Sequence, residues 1–147
     1  MDTTILRYFT VYGPRQSSDE AIPTFASLIF KNQPIKIFGD GSDTRDYTHI
    51  SDAVNSILLA LENKKSSGET MNIGSGEKIS TNDLVKIFTE TTGMKPEIKF
   101  SEKQTNRASH TLADISKAKK ILGYSPHVDI EIGIKDFVKW FKAENRL

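Results

Sequence analysis

Near the start of the chain runs Ile5-Leu6-Arg7-Tyr8-Phe9-Thr10-Val11-Tyr12, which stops at Gly13-Pro14. Its β-branched and aromatic content reads as a strand buried on both faces, the kind found inside a parallel sheet. Such a strand needs neighbours on each side, and too few residues precede it to build them. Either later strands flank it, or the chain is the back part of something longer.

Beyond the polar loop Arg15 to Glu20, the stretch Ile22 to Ile29 reads as a helix with Pro23 in its first turn, where the missing amide costs nothing. Pro34 to Phe38 alternates apolar and polar residues like a strand and ends at Gly39-Asp40-Gly41. Arg45 to Ile50 is a second extended piece. Ser51 is placed to cap a helix whose face is Val54, Ile57, Leu58 and Leu61, and Lys64 to Gly68 is a solvated turn. Met71-Asn72-Ile73 is a short strand, and Ser80 opens a helix that Gly93 closes. Glu97 to Phe100 is a strand, Asp114 caps a helix from Ile115 to Leu122, and Ile130, Ile134, Phe137, Val138 and Phe141 line the last helix. Strands and helices alternate, so the fold class is α/β.

The 147 residues carry 20 Lys and Arg against 19 Asp and Glu, a balance that disfavours nucleic-acid binding by phosphate neutralisation. With no cysteine, disulfides, thiolate metal sites and cysteine nucleophiles are excluded. No apolar run approaches the ~20 residues of a membrane span, and Met1-Asp2-Thr3-Thr4 does not begin a signal peptide. A cytoplasmic location without a membrane partner is the expectation.

A dinucleotide cradle requires a Gly-rich turn. Among nine glycines, Gly39-x-Gly41 and Gly74-x-Gly76 are followed three residues on by Thr44 and Ile79, so neither completes the pattern. No Gly-Lys-Ser/Thr phosphate loop occurs. His49, His110 and His127 are too scattered for a metal site and read as surface or hydrogen-bonded loop residues. A Tyr with Lys four residues on, suited to proton transfer, is also missing: the residues at that spacing are Tyr12, Gln16, Ser51 and Val128. No catalytic residue is assigned.

Three segments together resemble one family: Leu6 to Gln16; Pro34 to Gly41 with Thr44-Arg45-Asp46-Tyr47-Thr48-His49-Ile50; and Leu112 to Ala118 with Leu122-Gly123-Tyr124-Ser125-Pro126. They look like the C-terminal half of the NAD-dependent nucleotide-sugar epimerases and dehydratases, the extended short-chain dehydrogenases. The resemblance implies that residues 1–147 form the substrate-binding part, with the last strands of an incomplete Rossmann-type sheet and the N-terminal NAD-binding part absent. NAD belongs to the family's full-length enzyme and is not expected to be held by this chain alone. The implied partners are a UDP-sugar or other nucleotide-sugar, and either the missing half or another copy joined through the exposed sheet edge.

Residue by residue, the resemblance puts Arg45 on the diphosphate, a role that suits a planar fork of donors. The alternative is that Arg45 pairs with Asp43 or Asp46 on a solvated loop. Lys36, Ile37 and Phe38 match the stretch that offers backbone groups and a ring to the base, against a packing reading in which Phe38 is simply core. Glu20 and Ala21 match a helix start near the substrate. Thr10 matches the strand end where the sugar diphosphate meets the nicotinamide, and Phe9 the cofactor side of that end. Gln104 falls where the family writes arginine or glutamine and Arg107 where it writes an acid, so Arg107 is placed to supply the phosphate contact that Gln104 cannot. Ser17-Ser18-Asp19 stands where Arg-Pro-Asp is common, so a cation near the substrate is lost.

The implied function is the binding portion of a UDP-glucose 4-epimerase-like isomerase, which inverts C4 through a 4-keto intermediate, with the isolated chain inactive. Part of a dTDP-glucose 4,6-dehydratase-like enzyme, or a non-catalytic remnant that binds nucleotide or a partner chain, are the alternatives.

Overall fold

A computed structural model describes residues 2–103 and 107–147. The opening stretch is two strands that choose different partners. Strand β1 (Ile5–Tyr8) pairs in parallel with β6 (Thr70–Ile73), and β2 (Val11–Tyr12) pairs in parallel with β5 (Thr48–His49). The switch falls at Phe9-Thr10: the Phe9 amide donates to the Ile73 carbonyl at 2.9 Å, and the Thr10 carbonyl accepts from the Thr48 amide at 2.9 Å. The expectation of one strand buried on both faces is therefore corrected. β1 is an edge with a single partner, and Ile5 is 52 % exposed.

Helix α1 (Ala21–Phe30) buries Ile22, Phe25, Ala26 and Ile29, with Pro23 in the first turn as expected. Strand β3 (Ile35–Phe38) runs parallel to β8 (Ile98–Ser101) and sinks Ile35 and Ile37 into the core. Two-residue strand β4 (Thr44–Arg45) meets β7 (Ile79–Ser80) antiparallel, a pair too short to show a period in the sequence.

Helix α3 (Thr81–Thr92) opens on a reciprocal capping box between Ser80 and Asp83 and ends at left-handed Gly93. Helix α4 (Ser116–Leu122) starts one residue later than expected, and the Asp114 carboxylate accepts from the Ser116 amide at 3.0 Å. A 3-10 turn at Lys64–Ser66 occupies the expected solvated turn but buries Ser66.

Helix α2 (Ile50–Glu62) departs from its pattern. Its N-cap is His49, whose Nδ1 accepts from the Ser51 amide at 3.3 Å, so Ser51 is inside the helix. His49 is itself buried, edge-on to the Tyr12 ring, and is not a surface residue. The buried positions of α2 are Asp52, Ala53 and Ser56, while Val54, Ile57, Leu58 and Leu61 point outward. The polar side faces the fold: Asp52 accepts from the His127 and Val128 amides and the Tyr8 hydroxyl lies 3.0 Å from Ser56 Oγ, while the apolar stripe stays bare.

The buried side chains form two clusters. One joins Tyr12, Tyr47, α1, β3, α3 and helix α5 (Ile130–Asn145), and the other joins β6, Ala113, Ile115, α4 and Tyr124. Gly133 is the fourth residue of α5, and glycine within a helix ordinarily costs up to about 1 kcal/mol relative to alanine. A Cβ at Gly133 would stand 1.9 Å from the Tyr12 hydroxyl. Gly133→Ala is thus expected to destabilise the protein by about 1–3 kcal/mol despite better helix propensity, read as a lower urea midpoint.

Candidate functional site

A cleft of about 390 Å³ opens between β3, the start of α1, the β4 region and the segment around Arg107. Thr10, Glu20, Ala21, Lys36, Ile37, Phe38, Arg45 and Arg107 all line it. Phe9 does not; it packs against the Met71, Ile73 and Tyr124 cluster. Gln104 lies outside the described residues.

Strand β3 presents two different faces. Ile37 is buried and turns its backbone toward β8, its carbonyl accepting from the Ser101 hydroxyl at 3.4 Å, whereas Phe38 is 40 % exposed with the Lys36 ammonium 5.1 Å from its ring centre. The packing reading of Phe38 is overturned, because the alternation puts Ile35 and Ile37 inward and Lys36 and Phe38 outward. The amides of Ile35 and Gly39 donate across to Glu97 and Ser101 of the β8 side. In a parallel ladder alternate amides face opposite edges, so those of Lys36 and Phe38 point to the edge that carries no strand.

Arg45 is held by carbonyls. Its Nη1 donates to Thr44 O at 2.8 Å and Ser109 O at 3.3 Å, which ties it to the segment that follows Arg107. That segment is fixed to β4 by backbone bonds from Thr44 to Ser109 and from Thr111 to Thr44. Neither candidate carboxylate partner is available: Asp43 pairs with Lys103 at 2.8 Å, and Asp46 is turned into the interior. Among the described residues no carboxylate lies within salt-bridge distance of Arg45. The guanidinium keeps its remaining donors for an anion, with Arg107 on the same cleft.

Asp46 was not singled out by the sequence, yet it organises this region. Fully buried, it accepts from the Ser75 amide (2.7 Å), the Ser75 hydroxyl (2.8 Å), the Gly76 amide (3.0 Å) and the Ala113 amide (3.0 Å). One carboxylate therefore joins β4, the turn after β6 and the Leu112-Ala113-Asp114 stretch. Gly74 lets the three meet, since a Cβ there would stand 2.7 Å from Asp46 Oδ2. Asp52 does similar work at α2, accepting from the His127 and Val128 amides at 3.1 and 3.2 Å. Asp46 carries a sequence signal only as the middle of Arg45-Asp46-Tyr47, and Asp52, between Ser51 and Ala53, carries none.

Gln16, Asp19, Asp43, Tyr47 and Thr81 also line the cleft. The Tyr47 phenol is buried, and desolvation pushes its pKa up to about 12, so it remains a neutral donor at ordinary pH.

Residues 1–74, half of the chain, match the NAD dependent epimerase/dehydratase family. The chain belongs to that family. It is 40 % identical over 139 residues to the uncharacterized UDP-glucose epimerase YtcB of Bacillus subtilis, an alignment covering 95 % of this chain and 44 % of that protein. The fold superposes on UDP-glucuronic acid 4-epimerase from Bacillus cereus, solved with UDP-glucuronic acid and NAD, with TM-score 0.91 and 39 % identity over 96 % of this chain and 45 % of the other. It superposes likewise on UDP-glucose 4-epimerase from Thermotoga maritima, solved with UDP-glucose, with TM-score 0.92 and 34 % identity over 99 % and 47 %. The chain thus spans about half the length of the relatives it matches.

NAD needs free backbone amides for its pyrophosphate after a parallel strand. The turn after β6, Gly74-Ser75-Gly76, gives the amides of Ser75 and Gly76 to Asp46 instead. That turn is therefore not such a cradle. No helix among the described residues is long and apolar enough to cross a membrane.

Proposed function

We propose that the chain is the nucleotide-sugar-binding part of an NAD-dependent UDP-sugar 4-epimerase. The diphosphate sits on Arg45 and Arg107, and the base lies along the open edge of β3 beside Phe38. What carries this reading is Arg45, held by two carbonyls at the wall of a cleft and lacking a carboxylate partner among the described residues. In the reaction class, hydride leaves C4 for the cofactor and returns to the opposite face of a 4-keto sugar. This chain's share is to hold the nucleotide and orient the sugar, which lowers the barrier by fixing the reacting geometry.

The reading also gives the bare surface of α2 and β1 an occupant. Relatives carry more than half of their length outside the matched region, and a parallel layer in that half would cover the β1 edge and the Val54–Leu61 stripe. Association of two copies through the same edge competes with it.

The test is an amide-resolved NMR titration of the labelled chain with UDP and with UDP-glucose. Both should shift Ala21, Lys36, Phe38 and the Arg45 side chain, with UDP displaced by UDP-glucose. Spectra unmoved at millimolar ligand would refute the site.

A further inference from the structure

The residues on either side of Arg107 are fastened to the short run that leads into Arg45. Four positions ahead of Arg107, the Lys103 ammonium meets the Asp43 carboxylate at 2.8 Å. The stem of Lys103 lies over the preceding turn, where a Cβ on Gly39 would stand 3.6 Å from Lys103 Cβ and Cγ. Behind Arg107, the Thr44 amide donates to the Ser109 carbonyl at 2.9 Å and the Thr44 hydroxyl lies 3.1 Å from His110 Nδ1. Asp43 is anchored in turn from below, its carbonyl accepting from the Thr81 amide at 3.1 Å where α3 begins.

Asp43 also lines the cleft, and a carboxylate there repels a diphosphate through space. Resting on the reading proposed above, we infer that Asp43 and Lys103 are positioning residues, whose ion pair holds Arg107 within reach of the diphosphate that Arg45 binds. The pair is partly exposed, so it adds little to the stability of the fold. Its effect on a ligand runs through Arg107 instead. Fixing the chain ahead of that residue, when the chain behind it is already fixed by Thr44, removes conformational freedom that binding would otherwise have to remove. The two cations then meet the ligand as one preformed unit, because Ser109 accepts from both the Thr44 amide and the Arg45 guanidinium.

Positioning and simple electrostatics predict opposite signs for Asp43→Ala, and calorimetry with UDP at low ionic strength reads the sign. Removing a negative charge from the cleft should by itself tighten UDP. Losing the tie should instead weaken it, by about threefold to tenfold. Lys103→Gln is the second variant and should weaken UDP as well. The double-mutant cycle with Arg107→Ala separates a positioning role from a general loss of structure. In that background Asp43→Ala should no longer weaken UDP, and Lys103→Gln should weaken it less than when Arg107 is present. Circular dichroism checks that each protein is folded. UDP affinity that is unchanged or raised in a folded Asp43→Ala protein, or a loss of the same size with and without Arg107, overturns the inference while leaving the site intact. Arg45→Ala, run in the same series, reports on the site itself. If the unaltered chain does not bind UDP, or binds it as well without Arg45, the site and the inference fall together.

Discussion

Asp46→Ala is expected to lower the melting temperature by about 10 °C or more, the largest effect of any single substitution considered for this chain. The carboxylate is fully buried and accepts four hydrogen bonds, three of them from backbone amides that belong to two other segments. Alanine leaves those amides dry and unpaired, and each orphaned buried donor costs roughly 1–3 kcal/mol. Relaxation and entering water recover part of that sum, so a net loss of about 3–5 kcal/mol is expected. It is a large fraction of the ~5–15 kcal/mol by which a domain is ordinarily stable. Asp46→Asn should be nearly as damaging, because its NH2 group must face an amide donor. Asp43→Ala, three residues earlier, removes only a partly exposed ion pair with Lys103 and should cost under about 1 kcal/mol. Thermal unfolding followed by circular dichroism separates the three. Equal melting temperatures for Asp46→Ala and Asp43→Ala would mean that the buried carboxylate does not hold the site together.

Arg45→Ala should weaken UDP and UDP-glucose by about tenfold to a hundredfold while leaving the fold intact. A charge-assisted hydrogen bond to a phosphate contributes roughly 1.5–3 kcal/mol, and each 1.4 kcal/mol is tenfold in affinity. The side chain's two carbonyl bonds orient it without neutralising it, so the whole charge is available to the diphosphate. Arg45→Lys should recover only part of the loss, since an ammonium cannot both keep those carbonyls and bridge two phosphate oxygens. The remaining salt dependence should fall as well, because one cation fewer faces the ligand. Calorimetry or the NMR titration on the three proteins decides it, with the circular dichroism spectrum as the folding control. Unchanged affinity in a folded Arg45→Ala protein would remove the anchor on which the other contacts depend.

Several features were legible in the sequence because their causes are local. The helix spans of α1 and α3, the Ser80–Asp83 cap and the left-handed glycines at Gly93 and Gly123 follow from residues within a turn of one another. So does the alternation of β3, which already commits Lys36 and Phe38 to one face. Eight of the ten residues picked for the site come together on one cleft, which the resemblance, and not periodicity, brought into view.

Tertiary structure decided the rest, wherever a residue's partner lies far along the chain. Ile5 to Tyr12 has the composition of one buried strand, but its division at Phe9-Thr10 depends on Ile73, which accepts from the Phe9 amide, and Thr48, which donates to the Thr10 carbonyl. The stripe Val54-Ile57-Leu58-Leu61 has a core pattern, yet it points outward, because Asp52 and Ser56 on the other side find partners in His127, Val128 and Tyr8. Asp46 reads as a loop carboxylate beside Arg45 until Ser75, Gly76 and Ala113 arrive from positions 29 to 67 residues away. Helical and strand periods record which side of an element is apolar. They carry no record of which neighbour takes that side, and the hydrogen bonds that make that choice span the whole fold.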